Sequence, residues 1–336
     1  MRAVLTIDDV RAAAVRLQGR VEQTPVLTST RLNARLGGAE LFLKAECLQI
    51  TGSFKYRGAT NAIQSLEEEA RQAGVVTYSS GNHAQAVAKA AADAGTDAVV
   101  VMPHDAPLQK VAATEAAGAR LIRYDRYREN RAELAEAVAL SEGRTLIPPY
   151  DHPAVMAGQG TVGLELFEEV SDVDAVYVPV GGGGLLAGVA TATAYLSPNA
   201  EIIGVEPEAG DDHRRSRRAG QRVDIGVPAT IADGQQVSSP GELTWPITNR
   251  LTTRFITVTD REIALTMKTL FEQLNLLVEP SGASALAAVL HTEAELQRVR
   301  SGPGSGGRPR RVAVVLSGGN IGWPRFRDIL DEFATT

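Results

Sequence analysis

The sequence predicts an α/β fold in two lobes, each an open twisted parallel sheet flanked by helices. Short β-rich runs alternate with alanine-rich helical stretches almost throughout the chain. The β-rich runs are apolar at both alternating sets of positions, as expected of strands that helices cover on both faces. With 336 residues, 44% of them hydrophobic, the chain is long enough for two compact lobes or one large domain.

The predicted strands and helices follow one another in the order of a doubly wound sheet. The strands cover residues 41–44, 74–78, 98–102, 120–122, 175–179, 201–205, 255–258 and 311–316. Helices between them cover residues 82–95, 107–118, 128–142 and 260–274. The proline-rich residues 148–153 predict a rigid crossing between lobes, and the glycine-rich residues 301–309 predict a surface loop.

Composition and charge exclude several classes of protein. A net charge of −6 argues against a nucleic-acid partner, and the basic residues 213–218 lack the interleaved aromatics of a base-stacking surface. The single cysteine, Cys47, excludes an internal disulfide and any multi-cysteine metal site. Acidic residues interrupt the N-terminus, and no apolar run approaches the roughly 18 residues that cross a bilayer. We therefore expect a cytoplasmic protein with no membrane partner.

Four consecutive glycines follow a predicted strand and precede a predicted helix. They are Gly181, Gly182, Gly183 and Gly184, with Leu185 next. Their backbone N–H groups and the positive end of the helix favour a bound phosphate. The same segment also fits G-x-G-x-x-A, and Glu206 closes the next strand about 20 residues on, where a dinucleotide fold places its ribose-binding acid. This segment alone does not separate a phosphate-bearing aldehyde cofactor from NAD.

Lys55 lies in Gly52-Ser53-Phe54-Lys55-Tyr56-Arg57-Gly58, between glycines. A lone lysine is usually a solvated surface residue. A lysine that is desolvated or near another cation, here Arg57, loses its proton more easily and attacks a carbonyl. A nucleophilic lysine together with a phosphate cradle indicates pyridoxal phosphate (PLP), whereas a nicotinamide enzyme has no need of such a lysine.

Two further polar loops follow predicted strands. Ser79-Ser80-Gly81-Asn82-His83 opens a helix and is suited to a substrate carboxylate, although Ser79 could simply cap that helix. Ser317-Gly318-Gly319-Asn320 follows the last strand. Because the carboxyl ends of parallel strands converge on one crevice, we expect these loops and the glycine cradle to meet.

These motifs, with Gly158-Gln159-Gly160-Thr161 and Ala232-Asp233-Gly234, resemble the serine/threonine dehydratase family of PLP enzymes, from about Thr24 to Asn320. That family includes serine racemase and 3-hydroxyaspartate dehydratase. The resemblance implies PLP fold type II (tryptophan synthase beta-like), with the cofactor between the lobes. Residues 1–73 and 150–336 would form the large lobe and residues 74–149 a smaller, mobile one. Membership of this family also implies a homodimer.

The resemblance assigns roles to the cofactor-binding residues. Lys55 would form the Schiff base and act as the base at Cα. Phe54 would pack on the ring and Asn82 would bond its 3-oxygen. The four glycines and the Leu185 amide would hold the phosphate, and Ser317 would face the pyridine nitrogen.

The substrate-binding residues are implied in the same way. Ser79, Asn82 and His83 would bind the substrate carboxylate. Ser80 occupies the position of the second proton donor that racemisation requires. Arg128 is a candidate for a second substrate carboxylate, or else an exposed arginine at a helix start.

A serine hydroxyl opposite the ring nitrogen does not hold a proton there as a carboxylate would, which favours β-elimination over transamination. The predicted reaction is loss of water from a small β-hydroxy amino acid of the L-threonine or L-serine type, giving a 2-oxo acid and ammonia. The alternatives within the family are serine racemase and 3-hydroxyaspartate dehydratase. Outside the family they are an NAD-dependent oxidoreductase and a catalytically silent amino-acid-binding relative.

An acidic turn follows the strand that ends at Glu206. The resemblance implies a divalent cation, Mg²⁺ or else Ca²⁺ or Mn²⁺, bound by Glu206, the Gly210 carbonyl and Asp212, although such turns also occur without metal. Ile50 and Asn275 replace lysines of the nucleotide-responsive racemases, which argues against activation by ATP.

Overall fold

The computed structural model describes residues 5–106, 108–125, 127–302, 304 and 307–334. Its strands form two sheets, one of six strands in the order β1-β2-β10-β7-β8-β9 and one of four in the order β5-β4-β3-β6. The strands are β1 Val26–Leu27, β2 Glu40–Ala45, β3 Val75–Tyr78, β4 Ala98–Pro103, β5 Arg120–Tyr124, β6 Thr145–Leu146, β7 Ala175–Pro179, β8 Glu201–Pro207, β9 Arg254–Val258 and β10 Arg311–Leu316. Every pairing is parallel except that of β1 with β2 at one edge.

Helices connect the strands and cover the sheets. Within the described residues they are α1 Ile7–Leu17, α2 Thr30–Arg35, α3 Lys55–Gln64, α4 Glu68–Ala73, α5 Asn82–Asp93, α6 Leu108–Ala116, α7 Arg131–Glu142, α8 Pro153–Glu169, α9 Gly184–Leu196, α10 Asp212–Ala219, α11 Thr244–Leu251, α12 Asp260–Leu274, α13 Pro280–His291, α14 Glu293–Ser301 and α15 Trp323–Phe333. None of the helices in this part of the chain is long and apolar enough to cross a membrane.

Both faces of the central strands are buried, which explains why their sequences are apolar throughout. In β10, Val312 and Val314 belong to the core beneath α12 and α13, whereas Ala313 and Val315 belong to the core on the α9 side. The smaller sheet repeats this arrangement. The predicted α/β class with parallel sheets is therefore confirmed.

The predicted elements differ from the observed ones mainly at their ends. The helix expected from residue 128 begins at Arg131, because the Asn130 side chain accepts a hydrogen bond from the Ala132 N–H and caps it there. The two-residue strands β1 and β6 were not predicted. Part of the predicted loop 301–309 lies outside the described residues. All four strands of the smaller sheet fall within residues 74–149, although the lobe boundaries themselves stay a prediction.

Candidate active site

The loops that follow β3, β7 and β10 open on one cleft of about 370 Å³ between the two sheets. Lys55, the loop from Ser79 to His83, the four glycines and Ser317 all line it. Phe54, Asn82 and Leu185 line it as well. The structure thus brings together the residues predicted to bind cofactor and the α-carboxylate of substrate, as expected for the carboxyl ends of parallel strands.

Lys55 is the first residue of α3 and its Nζ donates a 2.6 Å hydrogen bond to the Pro149 carbonyl. Nζ also lies 5.2 Å from the centre of the Phe54 ring. Although the side chain as a whole is only half-buried, desolvation around the amine lowers the pKa of Lys55 to about 8, and the Glu279 carboxylate partly opposes this shift. A larger fraction of the amine is therefore neutral near physiological pH than in an exposed lysine.

Arg57 does not cause this shift, contrary to the sequence-based expectation. It is fully buried and its guanidinium points away into an ionic network, bonding Glu46 through two 2.8 Å contacts and Glu165 through two more. Lys44, also fully buried, donates to Glu165 at 2.7 Å. Because Glu165 lies on α8, the network fastens the start of α3, and with it Lys55, to a neighbouring helix.

Side chains on the glycine loop would collide with the residues packed behind it. Gly183 has a φ of +94°, which L-residues with a Cβ rarely adopt, and a methyl group there would lie 2.9 Å from His213 Nε2. A methyl group on Gly182 would lie 2.3 Å from the Tyr150 ring. The helix α9 begins at Gly184, so its unpaired N–H groups lie at the cleft. This cradle fits a phosphate.

Glu206 is not placed to bind a ribose. Its side chain is fully buried and its two oxygens accept hydrogen bonds from the backbone N–H groups of His213 and Arg214, at 2.7 and 3.0 Å. It is not among the residues that line the cleft. The dinucleotide interpretation of the glycine loop thus loses the acid that it requires.

Asn82, at the start of α5, is held by contacts from the larger sheet's side of the cleft. Its amide donates to Glu279 Oε1 at 2.6 Å and accepts from the Asn320 side chain at 3.0 Å. His83 is buried, and its Nε2 is 3.0 Å from the Ile147 carbonyl oxygen. Burial, with the nearby Lys55, lowers the pKa of His83 to about 3, so the imidazole is neutral.

The serines occupy distinct places in the cleft. The Ser79 hydroxyl accepts a hydrogen bond from the Gly81 N–H, and Ser80 is half-buried at the cleft surface. Ser317 is nearly inaccessible, and its hydroxyl lies 3.4 Å from the Ser281 carbonyl oxygen. A neutral hydroxyl, with no carboxylate bonded to it among the described residues, thus occupies the position predicted to face the ring nitrogen.

Glu279 is a cleft residue that the sequence analysis missed, since Glu279-Pro280 has the pattern of a helix start. It is almost fully buried, and burial, with the nearby Asp233 carboxylate, raises the pKa of Glu279 to about 7. Its Oε2 has no hydrogen-bond partner among the described residues. Lys110 lies close by and pairs with Asp233, joining α6 to the opposite wall of the cleft.

Arg128 does not line the cleft. Its side chain is 85% exposed and its Nε lies 3.6 Å from Asp125 Oδ2. Arg131, three residues further on, lines the cleft instead, with its guanidinium 5.5 Å from the centre of the Tyr78 ring.

The predicted metal ligands lie behind the glycine loop, and His213 joins them. Donor atoms of Glu206, Asp212 and His213 all lie within 4.8 Å of one another, and the three side chains are buried. His213 Nδ1 is 3.4 Å from Asp212 Oδ2 and 3.8 Å from Glu206 Oε1. Neither carboxylate oxygen of Asp212 has a hydrogen-bond partner within the described structure.

Electrostatics favours a cation at this cluster. Burial and the nearby Asp212 carboxylate hold the pKa of Glu206 well above its usual value. Gly210, the third predicted ligand, ends the short 3₁₀ helix Glu208–Gly210 between the two acids. Two buried carboxylates and an imidazole form a donor set that a divalent cation would satisfy.

A cleft that combines a partly desolvated lysine with a glycine phosphate cradle defines an enzyme that uses an aldehyde cofactor with a phosphate group. The family model described as "Pyridoxal-phosphate dependent enzyme" matches residues 17–318, and the chain belongs to this family. The predictions of PLP as cofactor and of family membership are thereby confirmed, and the NAD alternative is wrong.

Individual relatives cover nearly the whole chain. L-threo-3-hydroxyaspartate ammonia-lyase of Saccharomyces cerevisiae is 46% identical over 327 residues, 97% of each chain. Serine racemase of Schizosaccharomyces pombe is 44% identical over 327 residues, 97% of this chain and 98% of the relative. The structure of maize serine racemase superposes with a TM-score of 0.91 at 38% identity, covering 98% of both chains. The prediction of an enzyme from the ammonia-lyase and serine racemase group is confirmed.

Proposed function

We propose that this protein is a PLP-dependent ammonia-lyase that eliminates water from a small β-hydroxy amino acid and releases a 2-oxo acid and ammonia. The observation that carries the proposal is the placement of Lys55 and the glycine cradle in one cleft, with the neutral Ser317 hydroxyl between β10 and α13. The ammonia-lyase and racemase relatives support the same chemistry.

The cleft residues fit the cofactor at each of its groups. Lys55 would hold the aldehyde carbon, Phe54 the ring, Asn82 the 3-oxygen and Ser317 the ring nitrogen, while the glycine loop and the Leu185 amide would hold the phosphate. When bound, PLP supplies the electron sink that makes the substrate's α-proton acidic.

The chain's own residues then orient the substrate and move its protons. Lys55, whose lowered pKa leaves a useful fraction of neutral amine, takes the proton from Cα. The start of α5 at Asn82 binds the α-carboxylate through backbone N–H groups and the helix dipole, with Ser79 beside it. His83, neutral and bonded to a carbonyl, contributes its backbone rather than a charge.

Racemisation is a second candidate activity. Ser80 lies on the cleft, and the Schizosaccharomyces pombe relative is a serine racemase. A hydroxyl on the side of the substrate opposite Lys55 would return a proton to Cα from the other face. The same enzyme would then partition each substrate molecule between inversion and elimination.

A divalent cation at Glu206 and Asp212, with the Gly210 carbonyl and His213, completes the proposal. An imidazole in the set favours Mn²⁺ over Mg²⁺ or Ca²⁺ relative to an all-oxygen site. Chelation of the ion should lower the Tm by about 3–5 °C, because a ligand that binds only the folded state stabilises it. Asp212→Asn should abolish the difference between chelated and loaded protein, whereas Asp211→Asn, at a carboxylate that pairs with Arg215, should retain it. An unchanged Tm on chelation would exclude a bound ion.

The family resemblance also supports a homodimer whose residues 74–149 move as a lobe, with a small amino acid as its substrate and neither nucleic acid nor membrane as a partner. The exposed rings of Phe271 and Trp323, which pack on one another at the surface, are consistent with a subunit contact. Light scattering distinguishes a dimer from the 35.6 kDa monomer.

The decisive experiment measures 2-oxo acid release from L-serine, L-threonine and L-threo-3-hydroxyaspartate. Lys55→Ala should abolish release and also the visible absorption of the bound cofactor, at about 410 nm. Lys89→Ala, at an exposed lysine paired with Asp93, is the matched control and should retain both. Cofactor binding without oxo-acid release from any β-hydroxy amino acid would refute the proposed reaction and favour the catalytically silent relative.

A further inference from the structure

The carbonyl group of Gly182 is held from behind the glycine loop. The Thr244 hydroxyl donates a 2.6 Å hydrogen bond to the carbonyl oxygen, and the Gly241 N–H donates a second one at 3.2 Å. Gly182 lines the cleft, whereas Gly241 and Thr244 are not among the residues that line it. Two donors use both lone pairs of the oxygen, so this peptide group has little freedom to rotate.

The orientation of this carbonyl determines where the next N–H group points. The peptide between Gly182 and Gly183 is trans and planar, so its C=O and N–H bonds point in opposite directions. Because the carbonyl points towards α11, the Gly183 N–H points towards the cleft. No carbonyl of the described backbone accepts a hydrogen bond from it. The N–H is therefore available to an anion at the glycine loop.

Asp151 fixes the segment that carries Thr244. Its carboxylate accepts hydrogen bonds from three successive backbone N–H groups at the start of α11, at 2.9, 2.9 and 3.1 Å; they belong to Glu242, Leu243 and Thr244. Leu243, at the N-cap position, has no side-chain oxygen that could bond them. An aspartate 93 positions before Thr244 thus caps this helix.

The segment that contains Asp151 also contacts the lysine. The Pro149 carbonyl accepts the 2.6 Å hydrogen bond from Lys55 Nζ. The Tyr150 ring lies against Gly182, where a methyl group would be 2.3 Å from it. Residues 149–151 therefore connect the amine of Lys55 to the back of the glycine loop.

We infer that Asp151 and Thr244 are positioning residues for the cofactor phosphate. Asp151 holds the start of α11, and Thr244 holds the Gly182 carbonyl so that the Gly183 N–H points at the phosphate. Neither residue lines the cleft, so both act through the glycine loop. This inference rests on the proposed placement of the phosphate at that loop. A donor that is already oriented binds an anion more tightly, because binding then costs less ordering of the loop.

The test compares PLP with pyridoxal, which has the same ring and aldehyde but no phosphate. Affinities for the apoenzyme are measured by titration of the visible absorption of the bound cofactor. The wild type should bind PLP at least about 100-fold more tightly than pyridoxal. Thr244→Val keeps the shape of the side chain and removes the donor. It should weaken PLP binding by about tenfold and change pyridoxal binding by less than about twofold.

Two further variants at α11 serve as controls. Thr244→Ser keeps the hydroxyl and should bind PLP within about threefold of the wild type. Thr248→Val, one turn further along the helix, removes a buried hydroxyl that donates to the Trp245 carbonyl instead of the glycine loop. It should leave both affinities unchanged.

Asp151→Ala tests the first step of the same chain of contacts. It should weaken PLP binding about as much as Thr244→Val, and the double variant should lose no more than about threefold beyond either single change, because both act on one carbonyl. Thr259→Ala is the matched control, since it removes the N-cap of α12, which does not line the cleft, and should keep PLP affinity. Thr244→Val decides the question by itself if Asp151→Ala does not fold.

Phosphorus NMR of the holoenzyme gives a readout that a general loss of stability does not change. The resonance of the bound phosphate should shift in Thr244→Val and match the wild type in Thr244→Ser and Thr248→Val. Equal losses of PLP and pyridoxal affinity in Thr244→Val, or an unchanged PLP affinity or resonance, would overturn the positioning role and leave the proposed function intact. A wild type that binds pyridoxal as tightly as PLP would overturn the placement of the phosphate, and this inference with it.

Discussion

Capture of PLP by the apoenzyme should titrate with Lys55 at a pH far below that of an ordinary lysine. Only the neutral amine attacks an aldehyde, and desolvation lowers the pKa of Lys55 from 10.5 to about 8. At pH 7.5 the neutral fraction is therefore about 24%, against about 0.1% for an exposed lysine. The structure thus provides a gain of roughly 200-fold in reactive amine.

The assay is stopped-flow absorbance of PLP mixed with apoenzyme between pH 6 and pH 10. The rate constant should rise about tenfold per pH unit up to pH 8 and then level off. The control is Nα-acetyl-lysine amide, measured in the same buffers. Because PLP titrates identically in both reactions, the difference between the two pH profiles reports the amine alone. The rate of the control should keep rising to about pH 10.5.

Replacement of Glu279 tests the cause of the shift. The Glu279 carboxylate raises the pKa of Lys55 against the larger effect of desolvation, so Glu279→Gln should move the midpoint below that of the wild type. A wild-type rate that continues to rise through pH 10 would refute the desolvation argument. A midpoint that moves upward in Glu279→Gln would refute the assignment of Glu279.

Two further predictions concern the glycine loop and the second proton donor. Gly183→Ala should destabilise the protein by about 2–4 kcal/mol in urea unfolding, because it combines a positive φ with a clash at His213. Gly220→Ala has a φ of +70° and open space around it, so it should cost only about 1 kcal/mol, and equal losses would show that no clash occurs. Ser80→Ala should abolish any racemisation of serine, followed by chiral chromatography, and leave much of the oxo-acid release. Equal loss of both activities would contradict the assignment of Ser80 as the second proton donor.

Much of the site was predictable because its parts are local in sequence. The glycine loop, the loop from Ser79 to His83 and the serine after β10 each follow a strand whose apolar pattern is unambiguous. The topology of parallel sheets then requires such loops to meet. Lys55 was identified from its neighbours, but the cause of its lowered pKa was not, since Arg57 turned out to point into the protein.

The site residues that the sequence analysis missed are brought to the site by contacts between segments that lie far apart in the sequence. Glu279 accepts a hydrogen bond from Asn82, which lies 197 positions earlier in the sequence. No local pattern distinguishes Glu279 from an acidic residue that caps a helix. His213 is the first residue of the basic run 213–218, in which nothing local indicates a metal ligand, yet its side chain is buried together with that of Asp212. Arg131 and Arg128 have the same side chain, and only the start of α7 decides which of them reaches the cleft.

The ionic network around Arg57 constrains how this active site can diverge. Lys44, Glu46 and Arg57 are fully buried, and Glu165 is 15% exposed. Loss of one of the buried partners alone would leave a buried charge uncompensated, at a cost of about 3–5 kcal/mol. Changes at Lys44, Glu46, Arg57 and Glu165 should therefore arise as coordinated replacements in evolution and in directed libraries. Residues that line the cleft without joining this network, such as Arg131, can change one at a time. Specificity can therefore vary while the network beneath the cleft stays the same.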